Sequence, residues 1–242
     1  MTWRLVDTDI CAPPYSAAAD EAIALARSKD LVPDTLHFYR RSVPTVSLGY
    51  FQSASEDINR DFCDEHGIQI VRRATGGSAV YTDKNHLIYG LMTDESPMPL
   101  DKEETYRKVC SALVGGLAHM GIAATFKPVN DVLVNGRKIS GSAQMRRWGV
   151  VLQHGTLILA NDTKKMFGAL NVDRGKAKHI TSLEEVLGRK PPVSDVKSAL
   201  VKGFEEVFGA RFEPGELTDF EIDKIEELIA EKYGNDQWNF RK

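Results

Sequence analysis

With 242 residues, 42% of them hydrophobic and 27% charged, the chain has enough apolar material for a sizeable core and a composition ordinary for a globular protein. A formal net charge of −3 gives no global basic field, which argues against nucleic acid or an anionic membrane as a partner held by bulk charge. The first residues, MTWRLVDTD, hold no signal-peptide run, and no segment approaches the roughly 20 apolar residues of a membrane helix, so a cytoplasmic location is expected.

In chain order, the Ala-rich stretch around Asp20 to Ala26 predicts a helix, and LHFYR and TVSLGY predict strands set off by Pro33 and Pro44. Ser53 and Glu56 have capping-box spacing before a short helix through Cys63. IQIVRR reads as a strand running into a glycine turn, and HLIYGLM as the next strand. Asp101 and Glu104 suit the start of a helix with Tyr106, Val109, Cys110, Leu113, Val114 and Leu117 on its apolar face. Asn135-Gly136 between two β-like runs predicts a tight hairpin, because a type I′ turn needs positive φ at both central positions, and VVLQHGTLIL predicts a further strand. Beyond about Asp162 the pattern turns helical, and Thr218 with Glu221 opens a last helix carrying Ile222, Ile225, Leu228 and Ile229. The expected fold is therefore α/β or α+β, a mixed sheet flanked by helices. The chain reads as one domain over 1–242, with a helical tail from about 190 to 242 that starts at Lys190-Pro191-Pro192.

Two segments carry chemistry. In Arg72-Arg73-Ala74-Thr75-Gly76-Gly77-Ser78-Ala79-Val80, two arginines supply fixed charge and two glycines let backbone amides approach a phosphate or carboxylate. An ordinary Gly-Gly turn is the plain alternative. In Asn130 to Gln144, the hairpin brings Asn130 and Asp131 on one arm toward Lys138 on the other. The carboxylate suits magnesium and the ammonium suits charge on a transferring phosphate, whereas an exposed hairpin with ordinary charges is the plain alternative. Gly141 among small neighbours points to close approach by a ligand. Cys11, Cys63 and Cys110 are odd in number, widely spaced and without Cys-x-x-Cys, so they read as reduced thiols and not as a disulfide framework or zinc site.

Taken together, the Arg-Arg-x-Thr-Gly-Gly run, the Asn130-Asp131 pair, Lys138-Ile139-Ser140-Gly141-Ser142-Ala143 and His154-Gly155-Thr156-Leu157 resemble the lipoate-protein ligases and their relatives, the octanoyltransferases and biotin-protein ligases. The likeness extends to Ser47 through Gln52, Ile180-Thr181-Ser182 and Tyr233 to Asn239.

The resemblance implies a pocket for an acyl-adenylate, with ATP, Mg2+ and lipoic acid as reactants. In it Lys138 is the electrostatic catalyst. Arg72, Arg73, Gly76, Gly77, Ser78, Ala79 and Val80 shape the anion and acyl site, with Asn130, Ser140, Gly141, Ala143, Gly155 and Thr156 as further binding residues. His86 would face the nucleotide, His154 the pocket wall, and Asp131 the magnesium ion. The acceptor would be a lysine on a lipoyl domain of a 2-oxoacid dehydrogenase E2 subunit or on a glycine-cleavage H protein. An accessory domain found in larger relatives is not expected in this chain, so a separate small ligase subunit is a candidate partner.

Ser78 stands where many ligases have a third glycine, and Thr82 where many have histidine; the serine adds a Cβ and a hydroxyl to the cradle, which bears on acyl and nucleotide fit. The main rival, an octanoyltransferase working through a cysteine thioester, has its cysteine where this chain has Thr125 before Phe126. A biotin-protein ligase fits less well because its loop is richer in Gly-Arg alternation. A non-catalytic binding module of the same fold is the alternative outside enzymes.

Overall fold

The computed structural model describes residues 1–241, and for Arg174 and Lys176 the backbone only. Eleven strands are placed: β1 Thr2–Cys11, β2 Thr35–Arg41, β3 Thr45–Leu48, β4 Gln69–Arg72, β5 Val80–Thr82, β6 His86–Asp94, β7 Ala124–Lys127, β8 Asp131–Val134, β9 Arg137–Arg147, β10 Val150–Ile158 and β11 Arg211–Pro214. Eight of them form one mixed sheet in the order β11-β1-β2-β6-β10-β9-β8-β7, and a small sheet is ordered β4-β3-β5. This is the mixed sheet flanked by helices that the sequence predicts.

One face of the large sheet packs on α4 (Lys102–His119) and α7 (Val193–Phe208), which the short helices α5 (Thr163–Ala169) and α6 (Leu183–Leu187) separate along the chain, with Phe38, Leu87, Leu91, Leu113, Leu117, Leu157, Leu200 and Phe204 in the shared core. The two helices touch through glycines, since a Cβ on Gly203 would lie 2.1 Å from the Ala112 carbonyl oxygen. The other face carries α1 (Pro13–Ser28), whose buried alanines 17, 18, 19, 22, 24 and 26 let the helix sit low over the strands. Small side chains also lose little rotamer entropy there.

Start signals behave as their chemistry dictates. Asp101 accepts from the Glu104 amide at the head of α4, and Thr218 with Glu221 forms a complete capping box on α8 (Asp219–Leu228). Asn135 and Gly136 have φ of +50° and +74° between β8 and β9. Other expectations fail for local reasons. The segment after Ser53 splits into α2 (Ala54–Asp57) and α3 (Arg60–Glu65), and the side-chain cap comes from Asn59 and not from Ser53. Ile222 is exposed, so the apolar face of α8 is narrower than its periodicity implies. The C-terminal region is not helical throughout, because β11 leaves it to pair in parallel with β1, Thr2 opposite Arg211.

Candidate functional site

The register of the large sheet makes two rows of side chains across β2, β6, β10 and β9 on the face that carries α1. In the first, Tyr39 is opposite Ile88, Ile88 opposite Thr156, and Thr156 opposite Gly141. In the second, His37 is opposite Gly90, Gly90 opposite His154, and His154 opposite Ala143. Above these rows lies a cavity of about 260 Å³, closed by α1 and by the loop from Arg73 to Val80.

Lys138 belongs at one end. A shift of register between Val132 and Leu133 on β8 sets Lys138 opposite Leu133, while Asp131 is opposite Gly141. The bulge turns Lys138 to the side of the sheet that Gly141 occupies, as bulges near active sites commonly re-aim a side chain. Its ammonium is 2.6 Å from the Asp131 carboxylate. A Cβ on Gly141 would come within 2.7 Å of the same nitrogen, so only glycine leaves the ammonium its seat. Asn130 donates through Nδ2 to the Ser142 carbonyl at 2.6 Å and closes the turn beside them.

The second row is built around a carboxylate. With no side chain on Gly90, Asp20 of α1 reaches down between two histidines: a Cβ on Gly90 would be 2.8 Å from its Oδ1. Asp20 accepts from His37 Nδ1 at 3.0 Å, from the Tyr39 hydroxyl at 3.0 Å and from His154 Nδ1 at 2.8 Å. Burial alone would raise its carboxyl, but the hydrogen bonds and charge of His154 and His37 outweigh that and hold it well below the ordinary carboxylate range. An ionised carboxylate only accepts, so His154 donates to it from Nδ1, and its Nε2 lies 2.7 Å from the Thr75 hydroxyl. Thr75 Oγ1 accepts in turn from Arg73 Nε at 3.1 Å. One chain of hydrogen bonds thus ties α1 to the glycine loop.

The loop itself is held by Arg73. The guanidinium donates to the carbonyls of Ser47 (2.7 Å), Gly76 (2.7 Å) and Ser78 (2.9 Å), and burial pulls its pKa down to about 10. Gly77 takes a φ of +89° that favours glycine. Gly49 allows the backbones to meet, since its Cβ would lie 1.9 Å from the Gly77 carbonyl oxygen.

The expected site residues divide accordingly. Arg73, Gly77, Ser78, Ala79, Val80, Asn130, Asp131, Lys138, Gly141, Ala143, His154, Gly155 and Thr156 line the cavity, while Arg72, Gly76, Ser140 and His86 do not. Arg72 points the other way. It donates to the carbonyls of Gly49, Gln52, Trp238 and Arg241 and so fastens the C-terminal segment to the loop. His86 is buried on Asp83, Nδ1 to Oδ1 3.0 Å. The sequence reading missed Asp20, Glu21, His37, Tyr39, Arg41 and Tyr233, of which all but His37 line the cavity. Among the described residues no group of three or more His, Cys, Asp and Glu could hold a metal ion. Asp131 offers one carboxylate, which suits magnesium only where substrate phosphates and water fill the other positions.

No cysteine is among the residues that line the cavity. Cys110 is buried in the core of α4, 3.7 Å from Ser142 Oγ, and burial pushes its thiol up to about 11. Burial likewise takes Cys63 to about 11 and raises Cys11, and Thr125 is exposed on the edge strand β7.

Known proteins place this geometry. The family described as lipoyl protein ligase A/B catalytic domain matches residues 12–205. Octanoyltransferase LipM of Kyrpidia tusciae is 36% identical, covering 100% of this chain and 99% of its own, and that of Halalkalibacterium halodurans is 34% identical with the same coverage. A lipoate-protein ligase A bound with ATP superposes with a TM-score of 0.91 at 27% identity, covering 99% of both chains. A bi-partite lipoate protein ligase of Thermoplasma acidophilum gives 0.90 at 27%, covering 99% of this chain and 96% of that one. At 11% identity and a TM-score of 0.52, covering 94% of this chain and 75% of the other, the biotin protein ligase of Aquifex aeolicus shares the fold alone. The chain belongs to the lipoyl protein ligase A/B catalytic-domain family and is an enzyme of its lipoyl and octanoyl ligase–transferase kind.

Proposed function

We propose that the chain transfers a lipoyl or octanoyl group from an activated donor, held noncovalently in the cavity, to the ε-amine of a lysine on a lipoyl-carrier domain. The observation that carries this reading is the Lys138 ammonium, seated over Gly141 at the end of a cavity whose lining includes no thiol. The whole-length likeness to octanoyltransferases supports acyl transfer as the reaction. In the step itself the acceptor nitrogen bonds to the acyl carbonyl carbon. The bond from that carbon to the leaving group breaks, the electron pair goes with the leaving group, and the amine proton passes to water. Lys138 stabilises the negative charge that develops on the carbonyl and leaving-group oxygens. It acts through its charge and not as a nucleophile.

A second reading, ATP-dependent formation of lipoyl-adenylate, is favoured by the superposition on the ATP-bound ligase. Lipoate and ATP are then substrates, Asp131 is the carboxylate toward magnesium, and a small separate subunit, as the bi-partite ligase suggests, assists the activation step.

The test offers three donors to the purified chain with an apo lipoyl domain: lipoyl-adenylate, octanoyl-acyl carrier protein, and lipoate with ATP and magnesium. Product is followed by intact mass. Lipoyl-adenylate is expected to be used faster than lipoate with ATP, and Lys138→Ala to lose about 10²–10³ in transfer rate while keeping its circular dichroism spectrum. Near-native transfer by a folded Lys138→Ala refutes the assignment. Comparable rates of pyrophosphate release and acylation by the chain alone establish the second reading.

A further inference from the structure

Trp238 and Asn239 are not among the residues that line the cavity, yet they are bonded to two segments that do. β4 is an outer strand of the small sheet, and an outer strand leaves backbone groups in need of partners. Here side chains supply them. The short helix α9 (Asp236–Asn239) lays Trp238 and Asn239 against Arg72, the last residue of β4. Asn239 Oδ1 accepts from the Arg72 amide at 2.9 Å, and Trp238 Nε1 donates to the Arg72 carbonyl at 2.8 Å. From Arg72 the contacts run inward. Its guanidinium donates to the Gly49 and Gln52 carbonyls at 2.9 and 2.7 Å, and the Tyr50 amide between them donates to the Thr75 carbonyl at 2.8 Å. Thr75 lines the cavity and meets His154.

The other half of the Asn239 amide serves a second wall. Its Nδ2 donates to the Tyr233 carbonyl at 3.0 Å. Tyr233 ends the turn Ile229–Tyr233, is fully buried, lines the cavity and donates its hydroxyl to Glu21 of α1. Asn239 is itself 5% exposed. Asparagine suits the place because its amide accepts on one side and donates on the other, and a buried backbone group that loses its partner must shift to find another.

We infer that Asn239 is a positioning residue: from outside the cavity its amide holds the glycine loop, through Arg72, at a fixed distance from the Tyr233 wall and so sets the width in which the donor is gripped. The inference rests on the proposed function, in which an activated acyl donor occupies the cavity. Lys138 is carried by β9 of the other sheet, so loss of the Asn239 amide acts on donor binding and leaves the charge at the reacting carbonyl in place. Binding and loop order are linked in both directions, and a bound donor in turn holds the C-terminal segment more firmly.

The experiment compares the native chain with Asn239→Ala, measuring lipoyl-adenylate binding by calorimetry and kcat and KM for transfer to an apo lipoyl domain, with donor and acceptor varied separately. Asn239→Ala is expected to raise Kd and KM for lipoyl-adenylate at least about tenfold, with kcat within about threefold of native and KM for the acceptor unchanged. A merely structural role would shrink the active fraction, lowering kcat with both KM values intact. That result overturns the inference, as does a variant with native constants. Hydrogen exchange on the native chain needs no variant: with lipoyl-adenylate bound, the amides of Arg72 and of residues 234–240 are expected to exchange at least about threefold more slowly, and unchanged exchange there overturns the inference. A native chain that binds no lipoyl-adenylate overturns the reading of the cavity as an acyl site and the inference with it, whereas binding with none of these effects removes the inference alone.

Discussion

A single residue displaced from regular pairing decides where Lys138 points, and Gly141 keeps the space it needs. Gly141→Ala would put a methyl group 2.7 Å from the lysine nitrogen. Because that atom is the end of a flexible side chain, the lysine swings away at little cost to the fold. Transfer is expected to fall at least about tenfold with the melting temperature within a few degrees of native, and an active variant would show that the lysine is not confined. Asp20 makes a prediction about pH. Its folded-state carboxyl lies below the ordinary value, near 3.9 in an unfolded chain, so the stability it contributes is complete above about pH 5 and is lost as pH falls through 4 and below. In urea titrations from pH 6 to pH 3, Asp20→Asn should lose stability less steeply than the native chain. Equal slopes would mean that the two histidines do not hold the carboxylate. The lysine and the glycines were legible because they sit in short contiguous motifs. Asp20 and His37 were not, because a carboxylate bridging two imidazoles exists only once β2, β6 and β10 are in register with Gly90 between them.

Elements settle the walls of the site. α4 and α7 approach through Gly116 and Gly203, and Gly203→Ala would drive a Cβ into the backbone of α4, 2.1 Å from the Ala112 carbonyl oxygen. The helices must separate, at a cost of about 1–3 kcal/mol or more, measurable as a lowered urea midpoint. A midpoint equal to the native one would contradict the packing. Arg72 fastens the C-terminal segment, with Trp238 Nε1 donating back to the Arg72 carbonyl at 2.8 Å and Arg241 stacked 4.0 Å from Tyr50 and 3.9 Å from Trp238. Its place in an arginine pair beside a glycine loop reads as an anion site, yet its donors face carbonyls. Sequence shows the charge and not the direction of a side chain. The caps at Asp101 and Thr218 and the Asn-Gly hairpin were legible since each is a local bargain between neighbouring residues, whereas Ser53, with the same spacing, caps nothing. β1 and β11 were not, because β11 is four residues long and gains its partner from the opposite end of the chain.

At the scale of the molecule, two sheets and α1 enclose one cavity, with Lys138 at one end, in a fold shared with octanoyltransferases and with an ATP-bound lipoate ligase. The absence of a cysteine from the lining separates two chemistries, transfer through an acyl-enzyme and transfer from a bound donor. The most direct measurement is a stopped single turnover of lipoyl-adenylate with an apo lipoyl domain, using the native chain and a folded variant with Cys11→Ser, Cys63→Ala and Cys110→Ala, with intact masses recorded through the time course. Noncovalent transfer predicts acylated domain at similar rates from both proteins and no acyl adduct on the enzyme. An adduct on a cysteine of the native chain that forms and decays as product appears, or loss of transfer in the folded variant, would contradict it.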